Sequence, residues 1–238
     1  MIISIKAMPI PFSGEVNTLK NLKRKEKKQL KKDISELLAS TVVQTNNLDF
    51  VSVQSNNDKF TVVGCGCSSA VFRSKRFPQA VVKVYSPSHR KEVFQETLAY
   101  KKVKGLDCFP GLFFYGRNFL AIEFISGKSL YDCLIEGIDI ADEVIEQVDQ
   151  AIFLARQRGL APSDVHFKNI ILDNDRVRLI DLSDYLVAQH VSRWDRLKFF
   201  YKTVYKPLLK GSKVPKLAVD FFRKFYKLTE KLLKNIFK

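Results

Sequence analysis

No stretch of the 238-residue chain reaches the roughly 18 consecutive apolar residues that a membrane-spanning helix needs. The opening Met1-Ile2-Ile3-Ser4-Ile5 lacks a basic leader and soon meets Pro9 and Pro11, so it makes a poor signal peptide. Glycine and proline are sparse, at 10 and 8, beside an apolar fraction of 46%, an ordinary globular composition that argues against global disorder. Four cysteines (Cys65, Cys67, Cys108 and Cys133) show no spacing that suggests a pairing. They read as reduced thiols of a cytoplasmic protein. Acids are the scarcest of the common groups: 25 Asp and Glu stand against 40 Lys and Arg, a formal net charge of +15.

That excess is uneven. Lys20–Lys32 carries eight basic residues against one Glu, and Arg193–Lys238 carries fourteen against three acids. Basic ends around a nearly neutral middle point to an anionic membrane surface, nucleic acid or acidic proteins as partners, or else to solvated helix faces. The length suffices for one large domain or two small lobes.

Residues 1–14 read as a loop or short docking strand. Residues 15–40 read as a helix, with Leu19, Leu22, Leu30, Ile34, Leu37 and Leu38 at three- and four-residue steps. Strands follow at Phe50–Val53 and Phe60–Val63, around the turn Asn56-Asn57-Asp58. The second strand runs into Gly64-Cys65-Gly66-Cys67-Ser68-Ser69-Ala70-Val71-Phe72. Glycines let backbone N–H groups close on phosphate oxygens, although alone this stretch is as readily a hairpin that holds no ligand. A strand after the glycines argues against a dinucleotide fold, which wants a helix there. Cys65 and Cys67 read as small loop residues, with a redox-sensitive pair as the alternative.

Ala80-Val81-Val82-Lys83-Val84-Tyr85 is a strand with a lysine between valines, either facing solvent at an edge or paired inside. In the helix read over Glu92–Val103, Glu96 is the acid expected to pair with Lys83, with Glu92 as the alternative. Strands at Leu112–Tyr115 and Phe119–Ile125 flank the turn Gly116-Arg117-Asn118, and a linker follows at Ser126. Residues 139–158 read as a helix capped by Asp139, with a stripe of Val144, Val148, Ile152 and Ala155, stopped by Gly159. Next comes Pro162-Ser163-Asp164-Val165-His166-Phe167-Lys168-Asn169, then a hairpin around Asp173-Asn174-Asp175 that presents Asp181. A carboxylate and an amide five residues apart on one loop can deprotonate a hydroxyl and hold a divalent metal.

Taken in order, these residues resemble the protein-kinase superfamily, over roughly residues 48–185. The resemblance is carried by a glycine loop (Gly64, Gly66, Ser69, Val71), a strand lysine (Lys83), a helix acid (Glu96), a hinge (Glu123-Phe124-Ile125), a catalytic loop (Asp164, Asn169) and an aspartate after a hairpin (Asp181). It implies an α+β, bilobal fold with a β-rich N-lobe and an abbreviated helical C-lobe, close to compact bacterial protein-kinase-like proteins. The corresponding divisions are a basic N-terminal extension at 1–47, an N-lobe at 48–125 and a C-lobe at 126–238. It also implies ATP and Mg²⁺ as cofactors. By the same transfer Asp164 takes the proton of the attacking hydroxyl, Asn169 and Asp181 bind Mg²⁺, Lys83 contacts the α/β-phosphates and Glu96 orients Lys83. Backbone groups of Glu123 and Ile125 would meet the purine edge.

Departures from the family pattern matter as well. Pro162-Ser163 stands where His-Arg is usual, so control through a phosphorylated activation loop is not expected. His166 places the loop near those of atypical and small-molecule kinases. Asp181-Leu182-Ser183 lacks the usual glycine. Arg193-Trp194-Asp195 is expected to open a helix beneath the catalytic loop, with Asp195 accepting backbone N–H bonds and Trp194 as an anchor. The amphipathic run Leu217–Phe237 fits packing on a short lobe better than an interfacial helix on lipid. The expected function is a serine/threonine protein kinase, cytoplasmic or peripheral at a membrane. A small-molecule or sugar kinase and a nucleotide-binding scaffold without turnover are the alternatives.

Overall fold

The structure, a computed structural model, describes residues 23–45, 50–186 and 193–217. The chain opens with helix α1 (Arg24–Ala39) and strands β1 (Thr41–Thr45), β2 (Val51–Ser55), β3 (Phe60–Cys65), β4 (Ser69–Ser74) and β5 (Ala80–Tyr85). After a 3₁₀ turn at Pro87–His89 come α2 (Arg90–Lys102), β6 (Leu112–Tyr115), β7 (Phe119–Glu123) and the short β8 (Lys128–Ser129). The remainder is α3 (Leu130–Glu136), α4 (Asp142–Gln157), β9 (Ile170–Asp173), β10 (Arg176–Leu179) and α5 (Arg193–Phe200), which runs on as a wide π-type helix over Tyr201–Leu209. The fold is mixed α+β: an antiparallel sheet region followed by helices.

The main sheet has the order β3-β4-β5-β7-β6, so β5 sits at its centre and every one of its residues is buried. Side chains alternate across a strand. Ala80, Val82 and Val84 join Ala70, Phe72 and Ala121 in one apolar cluster, under Leu30, Ile34 and Leu37 of α1 and Val43 of β1. Val81 and Tyr85 belong to a second cluster with Val93 and Tyr100 of α2 and most of the helical region. A strand covered on both faces reads as a continuous apolar run, as β5 does. Lys83 has the parity of Val81 and Tyr85, so it projects toward α2.

Helix α1 forms because its apolar residues recur every three to four positions, leaving Lys25, Lys27, Lys28, Lys31 and Lys32 exposed. Full burial of Leu30, Ile34 and Leu37 contributes about 1.5–3 kcal/mol each relative to exposure. Residues 1–22, which include Leu19 and Leu22 of the helix expected over 15–40, and most of the Leu217–Phe237 run lie outside the described residues. Helix α4 buries the expected stripe, Val144, Val148, Ile152 and Ala155, yet starts three residues after Asp139 with Ala141 at the cap position. The cause is tertiary. Ile140 is drawn into the core, its N–H donating to the Tyr205 hydroxyl (3.0 Å) and its carbonyl accepting from the Tyr201 hydroxyl (2.9 Å). Asp139 faces Lys210 instead, at 3.5 Å.

Strands β1 and β8 and helix α3 add to the expected elements. The α3 ends carry ordinary signals: Ser129 accepts from the Asp132 N–H at 3.1 Å, and Gly137 closes the helix at φ 74°. Hairpin β9–β10 turns through Asn174 and Asp175 at φ 47° and 64°, the two positive values of a type I′ turn. On the outer edge of β10 the Gln147 carboxamide donates to the Asp175 carbonyl and accepts from the Val177 N–H, both at 2.9 Å.

Candidate active site

Lys83 is paired on both flanks, opposite Val71 of β4 and Leu120 of β7, so it is not an edge residue. Its Nζ lies 2.8 Å from Glu96 Oε2 and 2.8 Å from Asp181 Oδ1, and the Lys83 side chain is only 9% exposed. Of the two acids weighed from the sequence, Glu96 reaches the lysine; Glu92 lies 3.9 Å from His89. Glu96 is fully buried and also accepts from the Tyr85 hydroxyl. Burial pushes the Glu96 carboxyl above its ordinary value, and Asp181 adds to this against the pull of Lys83. Burial opposes the charge on Lys83 too, but Asp181 and Glu96 outweigh it and hold the lysine protonated.

Asp181 leaves β10 with φ 60°, a left-handed conformation that is uncommon outside glycine. Burial works against its charge, yet Lys83 and the Ser183 hydroxyl, 3.0 Å from Oδ1, keep its carboxyl below the usual range. The serine of Asp181-Leu182-Ser183 thus donates to the aspartate, at the position where the protein-kinase pattern has a glycine.

Asp164 lies on the irregular segment between α4 and β9. Backbone and side-chain bonds tie that segment to the neighbourhood of Asp181. Ala161 N–H donates to Tyr185 O (2.7 Å), Ser163 Oγ to Asp184 O (3.1 Å) and Ile180 N–H to Asn169 O (2.9 Å). The Asp164 carboxylate contacts Arg193 Nη1 of α5, and its Oδ2 is 3.9 Å from His166 Nε2. Burial, aided by Arg193, lowers His166 from 6.5 to about 4, so the ring is neutral near pH 7. Asp184 is a third carboxylate here, raised by burial and by Asp164 and Asp181.

In the glycine loop, Gly66 N–H donates to Ser69 O at 2.9 Å and Gly66 O accepts from Val51 N–H at 3.0 Å. Neither Gly64 nor Gly66 has a positive φ. A Cβ on Gly64 would meet nothing within 4 Å, and one on Gly66 only Ser69 O at 3.7 Å. The protein's own packing does not demand glycine, so the vacant space suits a group that approaches the backbone from outside, as a phosphate would. Ser69 is buried, and Val71 packs against the larger apolar cluster.

At the hinge, Glu123 N–H already donates to Gly111 O (2.8 Å), so that group is not open to a purine; Ile125 N–H meets no acceptor among the described residues. The Glu123 side chain has a role that no local pattern signals. Its Oε2 takes Arg178 Nη2 and the Gly111 N–H, both at 2.9 Å, in an ion pair about 6% exposed on each side. Arg178 Nη2 also donates to Phe109 O, which joins the hinge to the strand that leads to Asp181.

Asp195 is exposed and takes no backbone N–H among the described residues, contrary to expectation. Helix α5 does open at Arg193, but its anchors are Trp194, whose indole donates to Asp149 at 2.6 Å, and Lys198, 2.9 Å from the same carboxylate. Cys65 and Cys67 are exposed, whereas burial pushes Cys108 up to about 12 and makes it unreactive. Among the described residues no three His, Cys, Asp or Glu converge to hold a metal. Asp181 and Asn169 offer one carboxylate and one amide, which fits Mg²⁺ only when phosphates and water complete its shell. A cavity of about 390 Å³ lies elsewhere, between α2 and the Tyr115–Arg117 turn, lined by Val93, Phe94, Leu98 and Lys101.

Comparison with known proteins sets this arrangement in context. A family model described as "Lipopolysaccharide core biosynthesis protein (WaaY)" matches residues 47–203. The "Putative serine/threonine-protein kinase YrzF" of Bacillus subtilis (strain 168) is 33% identical over 195 residues, covering 81% of this chain and 91% of that protein. Among solved structures, a mutant PknI kinase domain of Mycobacterium tuberculosis aligns at 21% identity and a TM-score of 0.41, over 53% of this chain and 60% of that one.

Proposed function

The chain belongs to the WaaY family, within the protein-kinase-like superfamily, and on that premise we propose that it is an ATP- and Mg²⁺-dependent phosphotransferase acting on a serine or threonine hydroxyl of a protein. The observation that carries this reading is the cluster of Lys83, Glu96 and Asp181, joined by the 2.8 Å contacts of one buried ammonium. A fixed cation beside a carboxylate on a separate arm is what a triphosphate with its metal requires.

In this reading Lys83 binds the α/β-phosphates and Glu96 keeps it extended. Gly64, Gly66, Ser69 and Val71 cover the phosphates and adenine, and the Glu123 carbonyl and Ile125 N–H bind the purine edge. Asp181 and Asn169 would hold Mg²⁺, which supplies charge neutralisation on the phosphates. Asp164 accepts the proton of the acceptor hydroxyl as the hydroxyl oxygen forms its bond to the γ-phosphorus. The bond from that phosphorus to the β,γ-bridging oxygen breaks, and its electron pair leaves with ADP. Neutral His166 cannot supply positive charge to this step.

The relative named a serine/threonine-protein kinase matches over most of both chains and supports a protein acceptor. A sugar hydroxyl is the second reading, favoured by the family model's lipopolysaccharide-core description. Transfer of label from γ-labelled ATP to proteins, to itself and to a panel of saccharides separates the two, with Asp164→Asn and Asp181→Asn as controls. Label on saccharides but on no protein overturns the protein-kinase reading. Equal background in wild type and controls overturns both. The exposed lysines of α1 are proposed to draw the protein toward an anionic surface or polyanionic partner. No described helix is long and apolar enough to cross a membrane.

A further inference from the structure

Three carboxylates, those of Asp164, Asp181 and Asp184, stand near one another in the site, and burial together with the charges of Asp164 and Asp181 raises Asp184. Lys83 answers Asp181 from the sheet side. On the loop side Lys168 is drawn off to the Tyr131 ring, 4.4 Å from its centroid. Among the described residues the cation in contact with Asp164 is Arg193, whose side chain is 29% exposed. Only its Nη1 is engaged, on Asp164 Oδ1; the other guanidinium N–H groups meet no acceptor among the described residues. A guanidinium is planar and always charged, and its several donors can hold one oxyanion while bonding a second.

We propose that Arg193 is a further catalytic residue, which grips Asp164 with one N–H and donates another to the oxygens of the phosphoryl group in flight. This rests on the phosphotransfer reading above. An acceptor oxygen within hydrogen-bond reach of Asp164 and about 3–3.5 Å from the γ-phosphorus places the equatorial oxygens beside the group that holds the base. Negative charge spreads over those oxygens as the bridging bond breaks and the new oxygen–phosphorus bond forms. Arg193 meets that charge, while the proton still passes from the acceptor hydroxyl to Asp164 and the electron pair still leaves with ADP. Its charge is matched to the transition state more than to bound ATP, so the effect falls on turnover and not on nucleotide affinity.

The test is calorimetry of Mg²⁺-ADP and of Mg²⁺-ADP with aluminium fluoride, a mimic of the phosphoryl group in flight, on wild type, Arg193→Gln and Arg193→Lys. Arg193→Gln is expected to bind ADP within about twofold of wild type and the fluoride complex roughly a hundredfold more weakly. Arg193→Lys, which keeps the charge but loses the fork, should recover part of that loss. Single-turnover transfer should fall in parallel, with the KM for ATP unchanged. Equal weakening of both ligands marks a merely structural arginine and overturns the assignment. So does undiminished fluoride binding, or faster transfer by Arg193→Gln, which would make the arginine a block on the base. If wild type binds neither ligand, the nucleotide reading falls and takes this inference with it. If wild type binds both and the variants do not differ from it, only the inference falls.

Discussion

Lys83 and Glu96 expose 9% and 0% of their side chains, and the lysine divides its charge between Glu96 and Asp181, whereas Asp164, His166 and Arg193 expose 25%, 31% and 29%. The first group sits between a fully covered strand and a helix, so its geometry is set by packing before any ligand arrives. In the second, Asp164 and His166 sit on irregular chain tethered by a few backbone and side-chain bonds, and Arg193 sits at the first position of α5. A buried charge must be matched by its neighbours, and removing one partner strands the other. Half-exposed charges are eased by water, so they can be exchanged with little harm to the fold. The end that would grip the nucleotide is therefore part of the core, and the end that would meet the acceptor is not.

Substitutions can break or sharpen that contrast, and their cost in stability should fall from one side to the other. Lys83→Met leaves Glu96 buried beside only a tyrosine hydroxyl, and about 3–5 kcal/mol of unfolding free energy should be lost in urea titrations. A loss below about 1 kcal/mol would mean that Glu96 simply takes up a proton, and the contrast would collapse. Arg178→Met tests the second buried pair, at the hinge. Stranding Glu123 should cost on the order of 3 kcal/mol, and a further Glu123→Met should restore part of it. If the double variant is as unstable as the single one, the pair's charges are not what holds that junction.

Within the second group, His166 is the member whose titration burial moves most clearly. Because its pKa falls from 6.5 to about 4 on folding, the unfolded chain binds the proton first as the pH drops. Stability should be complete above pH 6.5 and decline toward pH 4, by at most about 3 kcal/mol at 1.36 kcal/mol per unit, reduced by solvent screening. His166→Gln should flatten that limb of a denaturation-midpoint-versus-pH curve, and an unchanged limb would place the acid sensitivity elsewhere. Asp164→Asn should cost the least stability, about 0.5 kcal/mol or less, while label transfer drops by roughly 10²–10⁴. A large loss of stability there would show the acceptor side to be as deeply built as the nucleotide side.

The same contrast explains what could be read from the sequence. β5, α2 and α4 were legible because burial leaves a periodic apolar record, and Lys83 stood out by interrupting one. Glu96 followed from its place on a helix beside that strand. The hairpin before Asp181 announced itself through Asn174-Asp175, which tolerate the positive φ that the turn needs. Arg193, Asp184 and the Glu123–Arg178 pair were not legible, because each depends on where distant segments meet and charged residues leave no period. Helix α3 did carry a signal, Ser129 followed by Asp132 and then Gly137, but seven residues are too few for a pattern to stand out. Asp139 misled for the opposite reason. It has the chemistry of a cap, and Tyr201 and Tyr205, some sixty residues on, claim the backbone of Ile140.

Gln147 has a consequence beyond the site. β10 lies at the edge of a three-stranded sheet, where a row of unpaired backbone groups would invite a strand from another molecule. The Gln147 carboxamide gives one hydrogen bond and takes one, as a peptide group of a neighbouring strand would. A helix side chain thereby occupies the seat of an intruding chain. The arm that carries Asp181 is shielded from self-association without a further strand.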